Sequence, residues 1–245
     1  MSGAATDGRM VGGRTVDDLA RRYVAWARSG DGERLSGDHA LNPDHAAEFD
    51  GMARRPAAVL VPVVDRAPSQ GGPTILLTRR ADTLSKHAGQ IAFPGGAVDP
   101  GETAAVAALR EAWEEVGLTA AHVRRVLGPL PRYASGSGFL VTPVLAVLDP
   151  AFRPVPAPAE VAETFEVPLA YLMDPTNHRV GEAMWRGRVR RYYEMIYGGG
   201  GDGNVGDTER RVWGVTAGIL RVMHDRLYAA DAPGTVAARA GGEPA

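Results

Sequence analysis

Residues 16–27 carry apolar side chains at Leu19, Tyr23, Val24 and Trp26, a helical spacing. Asp17 and Asp18 stand in the first turn, where carboxylates favour the positive end of the helix dipole. The pattern predicts one amphipathic helix near the N-terminus. Residues 57–64 and 74–78 are instead unbroken apolar, strand-favouring runs, and the Ser69-Gln70-Gly71-Gly72-Pro73 segment between them predicts a hairpin. Residues 123–127 and 139–148 predict further buried strands, and 184–185 with 189–197, divided at Gly187, predict a second hairpin. Residues 212–228 place Leu220, Met223 and Leu227 on one face and predict a last helix. Strands outnumber helices, do not alternate with them as βαβ units, and show no internal repeat. The fold class expected is therefore α/β in the α+β sense, built in layers around a mixed sheet.

The most informative pattern lies at residues 103–116. Thr103 supplies an N-cap, alanine is abundant and Gly117 supplies a C-terminal stop, so the segment predicts a helix. With Glu111 at zero and about 100° per residue, Glu114 falls at about 300° and Glu115 at about 40°. Val106, Leu109, Trp113 and Val116 fall at about 140–220° by the same stepping. The expectation is one core face and one carboxylate face. Ala104, Ala107 and Ala108 continue the acidic face toward the N-terminus, where they are expected to leave room for a bulky ligand. Most charged helix faces are simply solvated. Here, however, no Lys or Arg follows any of the three glutamates by four residues, and like charges at that spacing cost roughly 0.2–0.5 kcal/mol per pair. A divalent cation would draw such carboxylates together and offset their repulsion, which makes Glu111, Glu114 and Glu115 a candidate metal site.

Composition narrows the chemistry. The chain has 245 residues, the length of one large domain or of one domain with an extension. A formal charge of −2 argues against binding nucleic acid or an anionic membrane through bulk charge. The absence of cysteine excludes disulfides, thiolate zinc sites, iron–sulfur clusters and cysteine nucleophiles, so any metal falls to oxygen or imidazole ligands. No apolar stretch approaches the roughly 18 residues of a membrane span, and the Gly-rich first residues do not read as a secretory signal. A soluble cytoplasmic protein is expected. Gly201-Asp202-Gly203-Asn204-Val205-Gly206 fits the dinucleotide-binding glycine pattern, but no second βα unit with an acidic strand end follows it. Residues 198–207 are better read as an inserted flexible loop.

The run from Gly96 to Leu118 resembles the Nudix box: Gly, five residues, Glu, seven residues, then Arg-Glu-apolar-any-Glu-Glu-any-Gly-apolar. Gly96, Glu102, Arg110, Glu111, Ala112, Glu114, Glu115, Gly117 and Leu118 fill every specified position. The resemblance implies a Nudix-type α/β/α sandwich with a mixed β-sheet and hydrolysis of a nucleoside diphosphate derivative with Mg²⁺ or Mn²⁺. It further implies that Glu111, Glu114 and Glu115 ligate metal and carry catalysis, with the Gly96 carbonyl as a further ligand. Arg110 and Glu102 become the salt-bridged pair that supports the site. The general base is left open among Glu115, Glu114, Glu160 and Glu163.

Upstream, Leu76-Leu77-Thr78, Arg80-Ala81, Gly89 and Phe93-Pro94-Gly95-Gly96 are similar to the extended signature of the coenzyme A pyrophosphatase branch. Residues 137–144, 160–169 and 213–217 also resemble that branch. The likeness implies cleavage of coenzyme A or its derivatives to adenosine 3′,5′-bisphosphate and 4′-phosphopantetheine, with Arg80, Gly89, Phe93 and Gly95 as substrate contacts. Ser85, beside Lys86, stands where the signature has a second arginine; a lysine is a point charge and not a bidentate fork. Two other readings stay open: a Nudix hydrolase of ADP-ribose, NADH or a dinucleoside polyphosphate, and a nucleotide-binding regulator without turnover. The organisation expected is an N-terminal extension over residues 1–54, a hydrolase domain over 55–230 and a flexible tail over 231–245. The partner expected is a small-molecule substrate, without nucleic acid or membrane, and homodimerisation is the association that the resemblance suggests.

Overall fold

The structure is a computed structural model in which residues 14–30, 35–45, 53–185, 187–198 and 209–229 are described. The glycine-rich run at 201–206, nearly all of the expected loop at 198–207 and the expected tail at 231–245 lie outside them. The centre is a mixed sheet whose strands run in the order β1 (Ser36–Gly37), β7 (Tyr133–Ala134), β8 (Phe139–Leu148), β2 (Arg55–Val64), β3 (Thr74–Arg80) and β4 (Ile91–Ala92). Off that path, β5 (Gly95–Ala97) pairs with β2, β6 (Val123–Pro129) with β8, and β9 (Val161–Pro168) with β3. β2 and β8 are parallel over their whole lengths, from Arg55↔Phe139 to Val64↔Leu148, while β3 and β9 are antiparallel. A second, antiparallel sheet contains β10 (Arg179–Trp185), β11 (Arg188–Tyr197) and β12 (Arg210–Trp213).

The unbroken apolar runs arise because both faces of the central strands are covered. Val61 and Val63 of β2, Ile75 and Leu77 of β3 and Leu145 of β8 face one core, which α1 (Val16–Arg28) and α4 (Val215–Leu227) complete through Leu19, Tyr23, Trp26, Leu220 and Met223. Leu60, Val64, Leu76, Val144, Ala146 and Leu148 alternate to the other face, against α2 (Ala104–Val116). The result is helix, mixed sheet, helix: the α/β/α sandwich expected. A short α3 (Leu169–Leu172) follows β9.

Several expectations change. The helix expected from residue 212 begins at Val215, because Val212 and Trp213 pair with β11 as strand. β6 is an edge strand with exposed Arg124, Arg125 and Val126, and not a buried one. The hairpin of β2 and β3 is real but pairs only at Val63↔Ile75 and Val64↔Thr74 before β3 turns to β9. α2 is rotated from the expected orientation, although Val116 of the expected core face is buried and Leu109 packs partly buried against the same cluster. Val106 and Trp113 are exposed, at 53% and 59%, whereas Ala107, Ala108 and Ala112 are fully buried and Glu115 is buried with them. The alanines therefore make room for the sheet and not for a ligand. Small side chains let the helix lie close over β2 and β5, and that closeness carries Glu115 inward.

Candidate active site

α2 begins at Thr103, whose hydroxyl accepts from the Val106 N–H, and it ends at Gly117, where φ of 68° provides the left-handed stop. Between these caps Glu111 and Glu115 lie one turn apart on the sheet side. The Gly95 N–H donates to Glu115 Oε2 at 3.2 Å, and Arg80 Nη1 stands 3.8 Å from Glu115 Oε1. Burial pushes the Glu115 carboxyl up to about 7, against the opposing pull of the Gly95 N–H and of Arg80, while Glu111 and Glu160 add repulsion. Burial likewise raises Glu111 above the ordinary carboxylate range, although Arg110 opposes it. A β-carbon on Gly96 would lie 2.4 Å from Glu111 Oε1, so only glycine lets that carboxylate rest on the β5 backbone.

Arg110 divides its fork. Nε and Nη2 donate to Glu102 at 2.9 and 3.1 Å, and Nη2 also donates to the Ala97 carbonyl at 3.1 Å. Nη1 donates to Glu111 at 2.9 Å and to Glu114 at 3.2 Å. The hydrogen bond from Arg110 holds Glu102 below the ordinary carboxylate range. The cation at helical spacing stands four residues before Glu114 and not four residues after any of the three glutamates. Spacing carried that signal.

Arg80 ends β3 at a register shift, where Arg79 pairs with Glu163 but Arg80 pairs with Val161. Its backbone N–H donates to Gln90 and its carbonyl accepts from Gly89, which closes the 81–90 loop on itself. The N–H groups of Gly89 and Gly95 are thus both engaged within the protein. The Phe93 ring is buried in the core beneath the sheet, where it anchors the loop from inside. Of the expected substrate contacts, Arg80 and Gly95 both stand at Glu115 of the acidic helix face, and the Arg80 Nε has no hydrogen-bond partner. Of the two later glutamates, Glu163 is engaged by Arg210 and stands 3.8 Å from Arg79, whereas Glu160 adds its charge to the field at Glu111 and Glu115.

Among the described residues no three acidic or imidazole side chains already stand together as a metal-holding group; Arg110 Nη1 engages Glu111 and Glu114 while Glu115 accepts from Gly95. The donor set still suits a hard divalent cation. It is all oxygen, two of its carboxylates share the buried side of one helix, and Gly96 leaves space for Glu111 against the backbone.

The sequence profile of the NUDIX domain matches residues 54–184, and the chain belongs to the Nudix hydrolase family. It is a hydrolase of pyrophosphate bonds, in a family that acts on small-molecule nucleotide substrates and generally uses divalent metals such as Mg²⁺ or Mn²⁺. It is 41% identical over 174 residues to "Uncharacterized Nudix hydrolase NudL" of Photorhabdus laumondii subsp. laumondii, covering 71% of this chain and 85% of that one. It is 39% identical over 214 residues to the protein of that name from Citrobacter koseri, covering 85% and 93%. A solved structure, the M. smegmatis Nudix hydrolase RenU, is 31% identical with a TM-score of 0.39, over 50% of this chain and 75% of that one. No described helix is long and apolar enough to cross a membrane.

Proposed function

We propose that this Nudix hydrolase cleaves the diphosphate of coenzyme A or its derivatives, releasing adenosine 3′,5′-bisphosphate and 4′-phosphopantetheine. One observation carries the reading. The segment that resembles the coenzyme A signature, residues 76–96, ends its first strand with Arg80 at the acidic face of α2 and returns through Gly95 to hydrogen-bond Glu115. Signature and box thus meet at one carboxylate.

Glu111, Glu114 and Glu115, with the Gly96 carbonyl, would hold Mg²⁺ or Mn²⁺. When bound, the ion supplies neutralisation of phosphate charge and acidification of the attacking water. The chain's own residues do the positioning. Arg80, anchored through its backbone at the β3 bulge, offers a guanidinium to the diphosphate. Glu160, which lacks the arginine pairing that engages Glu163 and whose charge acts on Glu111 and Glu115, would take the water's proton. Glu102 holds the inner side of Arg110 and so fixes α2 to the loop before it.

The test is turnover of coenzyme A, ADP-ribose, NADH and diadenosine polyphosphates with Mg²⁺ or Mn²⁺, with products identified. The reading expects a specificity constant for coenzyme A at least roughly tenfold above the others, a margin of about 1.4 kcal/mol. A preference for another substrate would leave a Nudix hydrolase of different specificity, and no turnover of any would favour a nucleotide-binding regulator.

A further inference from the structure

The division of the Arg110 fork has a chemical meaning of its own. Nε and Nη2 are spent on Glu102 and Ala97, both on the chain before α2, while Nη1 alone spans Glu111 and Glu114. A guanidinium has five N–H donors in a rigid plane, and here each side of the plane has a separate task. We propose that Arg110 Nη1 is a built-in counter-cation that holds Glu111 and Glu114 in the metal-free protein, and that a divalent ion must displace it, so that Arg110 sets the affinity of the site for metal. The inference rests on the metal site proposed above.

Three features fit this role. Glu111 and Glu114 can leave Nη1 without freeing the guanidinium, because its other edge is held on Glu102 at two points, at 2.9 and 3.1 Å. Glu114 is exposed enough, at 43% of its side chain, to swing away from Arg110 without disturbing the core. One guanidinium nitrogen also reaches both carboxylates at once, Glu111 at 2.9 Å and Glu114 at 3.2 Å, as a single competing cation would. A support that merely oriented α2 would need only the Glu102 half of the fork.

The two roles predict opposite signs. Mn²⁺ binding to the protein without substrate, read by isothermal titration and by loss of the free-ion electron paramagnetic resonance signal, should be roughly tenfold tighter in Arg110→Gln, which removes the competing charge. Glu102→Gln releases the guanidinium from its anchor toward Glu111 and Glu114, and it should weaken Mn²⁺ binding several-fold. If Arg110 is only a support, both substitutions weaken binding together, and that result overturns the proposal. Circular dichroism with chelator checks folding; if Arg110→Gln fails to fold, unchanged or tighter binding in Glu102→Gln still overturns it. Absence of Mn²⁺ binding to the wild-type protein would defeat the metal-site reading itself, and the competitor role with it. Binding to the wild type with weaker binding in both variants defeats the competitor role alone.

Discussion

Glu166 lies on β9 opposite Leu76, toward the end of β3 far from Arg80, and it shows how a single carboxylate ties pH to stability. Burial pushes its carboxyl up, but hydrogen bonds from Arg66 and Thr74 and the Arg66 charge outweigh that and leave it below the ordinary range. Arg66 Nε donates at 3.0 Å and the Thr74 hydroxyl at 2.5 Å. A group depressed in the folded state stabilises the fold above its unfolded pKa, and that contribution disappears as pH falls through the folded value. Glu166→Gln should therefore destabilise the protein at pH 7, and the gap to wild type should close toward pH 3, below the usual carboxylate value of about 4.3. Urea midpoints at the two pH values measure it, and a gap that persists or widens at pH 3 contradicts the account. Glu166 carries no signal of its own in the sequence beyond its place in the 160–169 stretch, because its partners lie far away along the chain. Glu111, Glu114 and Glu115 were legible because one helix gathers them. The reach of Arg110 to its neighbour Glu111 was not, since adjacent residues on a helix do not ordinarily face each other.

Among the elements, α2 was legible in its ends and length but not in its rotation. Thr103 and Gly117 cap it where the sequence predicts, because capping is local chemistry. Its buried side could be read only in part from hydrophobicity: Val116 is buried as its period predicts, but Val106 and Trp113 outweigh alanine on any apolar scale and are exposed, while Ala107, Ala108 and Ala112 meet the sheet. Two substitutions separate the orientations. Ala108→Leu should cost about 1–3 kcal/mol by overpacking a site with no exposure, and Trp113→Gln should change stability by no more than about 0.5 kcal/mol. Chemical denaturation of both variants decides it, and the reverse ranking would restore the simple helical wheel. β9 is not legible as a strand because Glu163, Thr164 and Glu166 interrupt its apolar pattern; all three are partly buried, with Glu163 held by Arg210 and Glu166 by Arg66 and Thr74. β12 was absorbed into the last helix because Val212 and Trp213 continue the apolar period of α4.

For the whole molecule, the near-neutral charge becomes a statement about capture. On the proposed function, a polyanionic substrate meets a surface with a formal net charge of −2 and a face bearing Glu111, Glu114, Glu115 and Glu160, so binding would rest on metal ions and local guanidinium groups such as Arg80. The layered architecture was legible at the level of class, since continuous apolar strands require cover on both faces. The pairing of β2 with β8 was not, because a parallel register over ten residues joins segments about eighty positions apart. The central claim is that the carboxylate face of α2 performs the hydrolysis, and Glu115 is the residue on which box and signature converge. The most direct measurement is product-resolved cleavage of coenzyme A with Mn²⁺ by wild type and by Glu115→Gln, with circular dichroism confirming the fold. The account predicts a loss exceeding the roughly 10–100-fold that follows removal of an outer partner of a metal ligand. Wild-type activity in the folded variant would contradict it.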